Sequence, residues 1–416
     1  MLDKLFHFCV WFLAALTFAI SLSYPSGYNI GATLIFLLGM IFLFVRDPKS
    51  DVDKSDVQLI FTFAVYGLLM FFFVYLDGFH IRELDRPSRF ILVLPIALLL
   101  MRLNGPREWM FYGVVIGAIS AAILGVYERM YLGLGRAHGN EHPIMFGNIA
   151  MMLGMLSFVC ALYFYSKKSI VWTVLSSLGC VCGVAASVMS ASRGGWVALP
   201  LVGLFLLWNS RFLLGKKRLL KIALSILVAF FTVYFVPQTG VEGRINQALN
   251  DITRYDQGID KNSSVGLRFE MWKGAIKMFE ASPMVGVGEY GSYSFKQGLI
   301  RDGVVSEKVL MFSHAHNEYL NSLGLTGILG FIALMLVYLV PLKLFLGKMK
   351  EHQDDWNIRS YAMAGALVPM CYMDFALSQS MFSHSIGVMM YAFPIVYFWA
   401  ALRWAERESL AKASVA

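Results

Sequence analysis

Two histidines, two asparagines and a glutamate fall within the nine residues Ser313-His314-Ala315-His316-Asn317-Glu318-Tyr319-Leu320-Asn321. The stretch opens an apolar run from about Leu323 to Leu346, long enough to cross a bilayer. Polar groups at the mouth of such a helix cost free energy unless they have partners or a task. A helix cap at Ser313 or Asn317 accounts for one of the five. The chemistry on offer is proton transfer, in which a neutral imidazole takes a proton from an attacking hydroxyl. His314 and His316 are two residues apart and would face differently on a helix, which makes them a poor metal pair.

A second group of residues could hold an anion. Arg82, Arg86 and Arg89 cluster in one connection, and Arg129, Arg136, His138 and His142 in another. Arg193 lies in the turn Ser190-Ala191-Ser192-Arg193-Gly194-Gly195-Trp196, where Ser and Gly expose backbone N–H groups as an anion nest. Arg82 has the acids Glu83 and Asp85 beside it and reads as structural, whereas Arg193 has no acid near it in sequence. Arg268 sits in the first turn of a helical pattern that starts after Ser263-Ser264 and stops before Pro283. A cation at that helix end, beside unpaired N–H groups, forms an anion site, and pairing with Glu270 or Asp260 is the structural alternative. Asp374 is an acid within an otherwise apolar run and suits orienting a histidine or pairing with an arginine.

These residues need a frame, and composition supplies its class. Of 416 residues, 58% are hydrophobic and only 15% charged. Soluble domains carry roughly a quarter charged residues, so the expected fold is an all-α polytopic membrane protein. Hydropathy suggests about twelve transmembrane helices by the ~20-residue criterion. Nine spans occupy 1–236, a long loop with two helical patterns fills 237–320, and three spans fill 321–403 before a short tail at 404–416. The net charge of +8 belongs to loop lysines and arginines on one side, which excludes a nucleic-acid reading. With that basic side cytoplasmic, both termini are cytoplasmic and the long loop is periplasmic.

Within the loop, Ile245, Ala248, Leu249 and Ile252 mark an amphipathic helix over Val241–Tyr255. Gly286-Val287-Gly288-Glu289-Tyr290-Gly291 lacks the strand–helix setting of a nucleotide loop and reads as a flexible lid. Gly324, Gly327 and Gly330 recur every three residues and let another helix approach closely. Outward cations at membrane depth, a histidine and a buried acid fit a lipid-linked phosphate or diphosphate. Arginines would stabilise a diphosphate leaving group while a histidine activates the acceptor. A transporter for anionic lipids fits the same residue types.

His316-Asn317, nine residues, Gly327, two residues and Gly330 resemble the signature of bacterial O-antigen ligases and their relatives, with every fixed position matched. Ser192-Arg193-Gly194-Gly195 resembles that superfamily's arginine turn, and Arg268 to Trp272, followed by Pro283 and Gly286-x-Gly288, resembles its periplasmic loop. The resemblance implies a C-type glycosyltransferase of the bacterial inner membrane with a periplasmic active site and no cofactor or metal. Its donor would be O-antigen on undecaprenyl diphosphate, and its acceptor a sugar of the lipid A core. By resemblance, His316 is the base and Arg193 and Arg268 hold the diphosphate. Arg86, Arg89, Arg136, His314, Asn317 and Asp374 are expected to assist substrate binding. O-antigen polymerases and protein O-oligosaccharyltransferases share the signature, and a flippase or exporter is the alternative of another class.

Overall fold

A backbone in or beside lipid must satisfy its own hydrogen bonds, so apolar runs fold as helices. The computed structural model describes residues 2–45, 52–192, 194–196, 199–235 and 241–414, with no strand among them. In chain order the helices are α1 (Leu2–Ala19), α2 (Gly27–Val45), α3 (Lys54–Leu76), α4 (Asp85–Arg102) and α5 (Trp109–Val126). They continue with α6 (Pro143–Ser166), α7 (Ile170–Met189), α8 (Leu199–Phe235), α9 (Val241–Asp256) and α10 (Ser264–Ala281). The last four are α11 (Gly291–Arg301), α12 (Glu318–Glu351), α13 (Trp356–Phe375) and α14 (Ser385–Ala413).

Among the described residues, seven helices are long and apolar enough to cross a membrane, including α3, α6, α7, α12 and α14. Shorter apolar stretches occur in α1 and α2. Helix α13 is more polar because it is wrapped in protein: Arg359, Ser360 and Asp374 are buried along it. The core sits where α6, α13 and α14 meet, for α6 and α14 are buried over 94% of their most apolar windows against 28% for α7. Helices α12 and α13 pair closely, and α10 lies along α12. Those two pairings build the site.

Local sequence sets the helix ends. Ser263 caps α10 by accepting the Gly266 N–H at 3.1 Å, as the sequence suggests. Asp53 and Asp56 form a capping box at the start of α3. The two spans expected around the basic residues Lys216–Arg218 are the two helical segments of α8, which meet at a kink at Gly215, whose φ of 70° is left-handed. On the apolar stripe of α9, Leu249 and Ile252 are exposed. Beyond residue 403 the chain is still α14: Trp404 and Arg407 donate to the carbonyls of Leu100 and Met101 at 2.8 Å.

Helix α12 is broken at Gly327, with φ 63° and ψ −161°. The break frees backbone groups, and the stretch expected to be a lid takes them. Val287 and Gly288 donate to the carbonyls of Gly324 and Leu325 at 3.1 and 3.0 Å, and Ile328 donates to Pro283 at 2.8 Å. A Cβ on Gly327 would stand 2.5 Å from the carbonyl carbon of Met284, and one on Gly286 would stand 2.2 Å from that of Leu325. Both glycines are needed because two backbones meet there. Asp77 at the end of α3 then accepts the N–H groups of Tyr290 and Gly291 at 2.6 and 3.1 Å, pinning the far side of the stretch.

Candidate active site

Asn317 starts α12. Its side chain accepts the Leu320 N–H at 3.0 Å and donates to the Leu377 carbonyl at 3.2 Å. His314 and His316 therefore precede the helix, and helical spacing does not separate them. Their ring centroids are 4.5 Å apart, and the His316 N–H donates to His314 Nδ1 at 3.4 Å. His316 itself has a φ of 47°, a left-handed conformation that a non-glycine residue keeps only when its surroundings enforce it.

Those surroundings come from the segment after α13. The Glu318 N–H donates to Ala376 at 2.8 Å, and the Tyr319 hydroxyl donates to Met373 at 2.7 Å. A carboxylate oxygen of Glu318, which is buried, accepts the Phe382 N–H at 2.8 Å. Asn321 accepts the Ala315 N–H at 3.0 Å. Three of the five polar residues in the opening stretch are thus clamps that hold the two histidines.

His316 Nδ1 lies 2.6 Å from Gln379 Oε1, and Gln379 is completely buried. The Gln379 amide nitrogen is 3.1 Å from His384 Nε2. The ring of His384 stands 5.2 Å from that of His314 and 6.4 Å from that of His142, the residue that caps α6. Four of the eight histidines in the chain therefore gather at one end of α12. Gln379, His384 and His142 were not singled out as site residues in the sequence. The signal for the first two is the polar run Ser378-Gln379-Ser380 and Ser383-His384 between two apolar segments.

Burial keeps these rings neutral. Desolvation, followed by the Arg268 guanidinium, pushes His316 down to about 4. Desolvation and the neighbouring histidines push His314 down to about 3 and His384 to about 4. Arg268 reaches the site because Trp272, one turn further along α10, donates its indole N–H to the Ala315 carbonyl at 3.1 Å. Glu270, offered by the sequence as a partner for Arg268, also holds two other groups. Its oxygens accept the Tyr255 hydroxyl at 2.8 Å and the Ser306 N–H at 2.6 Å. Lys296 of α11, which the sequence reading passed over, donates to the Phe312 carbonyl at 3.0 Å and lines a small cavity with Ser313, His314 and Asn321.

The remaining expected site residues spread around this centre. Arg86 is paired with Glu289 at 2.7 Å, donates to the Ser383 carbonyl and acts on His384 from one side. Arg136 donates to the Ser190 carbonyl at 2.9 Å and acts on His142 from another. Arg89 reaches Asn29 at 2.9 Å and Asp85 at 3.1 Å, and donates to the carbonyl of Ser385, next to His384, at 3.5 Å. Asp374 is buried in the last turn of α13, beside the Met373 carbonyl that anchors Tyr319. Arg193 lies outside the described residues; its neighbour Gly194 lies against Ser378, next to Gln379. Among the described residues, the group with metal-ligand spacing is Glu351, His352 and Glu406, at the other end of α12. A cation already stands there, because Lys348 Nζ is 2.8 Å from Glu351 and 2.9 Å from Glu406.

A half-buried neutral imidazole beside an arginine, at the mouth of an apolar helix, is equipped for proton transfer near an anion. Residues 178–335 match the family model described as O-antigen ligase. The chain carries a domain of the O-antigen ligase superfamily. The matched stretch contains Arg193, Arg268, His316, Gly327 and Gly330, whereas Asp374, Gln379 and His384 fall beyond it. The chain is 28% identical to an uncharacterised protein of Haemophilus influenzae over 389 residues, covering 94% of this chain and 97% of that protein. It is 25% identical over 340 residues to a ComP-specific O-oligosaccharyltransferase of Acinetobacter baylyi, covering 76% of this chain but 58% of that protein. The O-antigen ligase domain and the apolar helices mark a multi-pass membrane protein of a glycan-transferase family.

Proposed function

We propose that the protein transfers O-antigen from undecaprenyl diphosphate to a sugar of the lipid A core on the periplasmic face of the inner membrane. The observation that carries this reading is His316, half-buried and held neutral, with one ring nitrogen held by Gln379 and the Arg268 charge acting on it. With Nδ1 engaged, Nε2 is the nitrogen left to take the proton of the acceptor hydroxyl as its oxygen attacks the anomeric carbon. The bond from that carbon to the diphosphate oxygen breaks, and undecaprenyl diphosphate leaves with the bonding pair. Arg268 and Arg193 stabilise the charge that develops on the leaving group. The frame for this reaction is the twelve-span layout with both termini cytoplasmic. His314, Arg86 and Arg136 line the approach of the substrates.

A second acceptor is favoured by a specific similarity, that to the ComP-specific O-oligosaccharyltransferase. The same base and cations would serve a serine or threonine hydroxyl of a protein. Purified protein, given undecaprenyl-diphosphate-linked glycan and either lipid A–core or an acceptor protein, separates the two by the product formed. An acceptor-less chain extension would instead identify a polymerase. In this assay His316→Ala is expected to lose about 10²–10⁴-fold in turnover, the contribution of a general base. Arg268→Ala is expected to lose about 10²–10³-fold. Wild-type transfer by His316→Ala would overturn the assignment of the base.

A further inference from the structure

His316 has to be more than neutral to act as a base. A neutral imidazole has two tautomers, and only one leaves a lone pair on the nitrogen that faces the substrate. Nδ1 is 2.6 Å from Gln379 Oε1, an acceptor that requires the proton to sit on Nδ1. A glutamine amide has two ends, however. Turned over, it would offer N–H to Nδ1 and drive the proton to Nε2, which would then have no lone pair for the acceptor hydroxyl. The direction of the amide is tied to its other contact, for Gln379 Nε2 is 3.1 Å from His384 Nε2. A neutral His384 with a lone pair at that nitrogen accepts only from the amide N–H end. The geometry is rigid, since Gln379 is fully buried and Met145 closes the remaining side at 3.9 Å.

Resting on the reading of His316 as base, we propose that Gln379 and His384 are positioning residues. His384 sets the direction of the Gln379 amide, and the amide holds His316 as the Nδ1–H tautomer with Nε2 presented to the acceptor. No carboxylate takes part in this chain, which distinguishes it from the acid–histidine pairs that serve the same purpose elsewhere. A neutral amide orients the ring without raising its basicity, and that suits a ring already beside Arg268. The charged and titratable groups facing the chain are Arg268, His142 and His314 on His316, and His142, His316, His314 and Arg86 on His384. A proton on His384 would remove its lone pair, turn the amide and disable His316 indirectly.

The test combines turnover with a direct readout of the tautomer, on the full chain in nanodiscs with ¹⁵N-labelled histidine, undecaprenyl-diphosphate-linked glycan and lipid A–core. The wild type is expected to show His316 protonated at Nδ1. Gln379→Leu is expected to lose that preference and roughly 100-fold in kcat, the low end of a general base's contribution, at unchanged donor KM. Gln379→Glu restores an obligate acceptor, so Nδ1–H and most of kcat return. Its negative charge raises the His316 pKa and moves the acid limb of the rate profile to higher pH. His384→Phe keeps the ring but frees the amide, giving mixed tautomers and an intermediate kcat. If Gln379→Leu does not fold, Gln379→Glu and His384→Phe carry the test. An unchanged tautomer and wild-type kcat in Gln379→Leu or His384→Phe would overturn the positioning role alone. Undiminished turnover in His316→Ala would overturn the base reading beneath it.

Discussion

The two ends of α12 are built on opposite principles. At the Glu351 end, charges meet charges. Arg403 pairs with Asp53 at 2.7 Å, with Asp56 at 3.1 Å and with Glu406, while Lys348 and His352 each reach Glu406 at 2.9 Å. Arg107 closes on Glu408 at 2.5 Å, tying the last helix to the connection after α4. At the His316 end, imidazoles meet amides and backbone. Burial holds His314, His316 and His384 well below the ordinary histidine range, and the charges that act on His316 are those of Arg268 and His142. A compensated ion network fastens helices to one another. A group of neutral bases beside a cation is ready for an anionic substrate and a proton.

The contrast can be broken from either side. The largest expected effect is on stability at the Glu351 end. Arg403→Met removes the cation that pairs with Asp53 and with the buried Asp56, while Glu406 keeps Lys348, at a cost of about 3–5 kcal/mol. Thermal unfolding in detergent should show this as a lowered Tm, while the protein that stays folded keeps its transfer rate. A matching loss of rate would mean that the two ends are coupled. Next comes the junction that seats the histidine end. Gly327→Ala forces a side chain into a left-handed φ and against Met284, costing about 1–3 kcal/mol. Limited proteolysis should then cut within 283–290, where the wild type is protected by its bonds to α12. Resistance equal to wild type would show that those bonds do not hold the stretch.

The smallest effect sharpens the comparison through pH. A depressed pKa means that the neutral ring persists as the solution is acidified. Transfer should therefore be level from pH 8 through the ordinary histidine value of 6.5 and fall only as pH drops through about 4. The sign follows from which form works: protonation removes the base, so activity is lost on the acid side. A rate profile with its acid limb near 6.5 would indicate an exposed, unshifted imidazole.

Much of this was legible in the chain. The long apolar runs dictate helices because lipid leaves the backbone no other partner, and each expected run is helical wherever it is described. Ser263 as the cap of α10 and Arg268 as a cation close to the histidines could be read from residue type and spacing, since those depend on local chemistry, whereas the choice of His316 came from the family resemblance. Two readings needed correction by the fold. The glycine-rich stretch is bonded to α12 and is no free lid, because the break at Gly327 creates acceptors that no local pattern displays. His314 and His316 lie side by side because the cap at Asn317 starts the helix after them.

By itself, then, the sequence determined the class of fold, the places where helices begin, and the chemical types gathered at Ser313–Gly330. Those are consequences of hydropathy and of contacts within a few residues. Only the tertiary structure decided which nitrogen of His316 is engaged and by what. Gln379 is 63 positions away in the chain, and its polar side chain marks it as unusual without naming its partner. The same is true of the distinction between the ends of α12. Arginine, histidine and glutamate occur at both, and burial together with long-range pairing makes one a fastening and the other a candidate site.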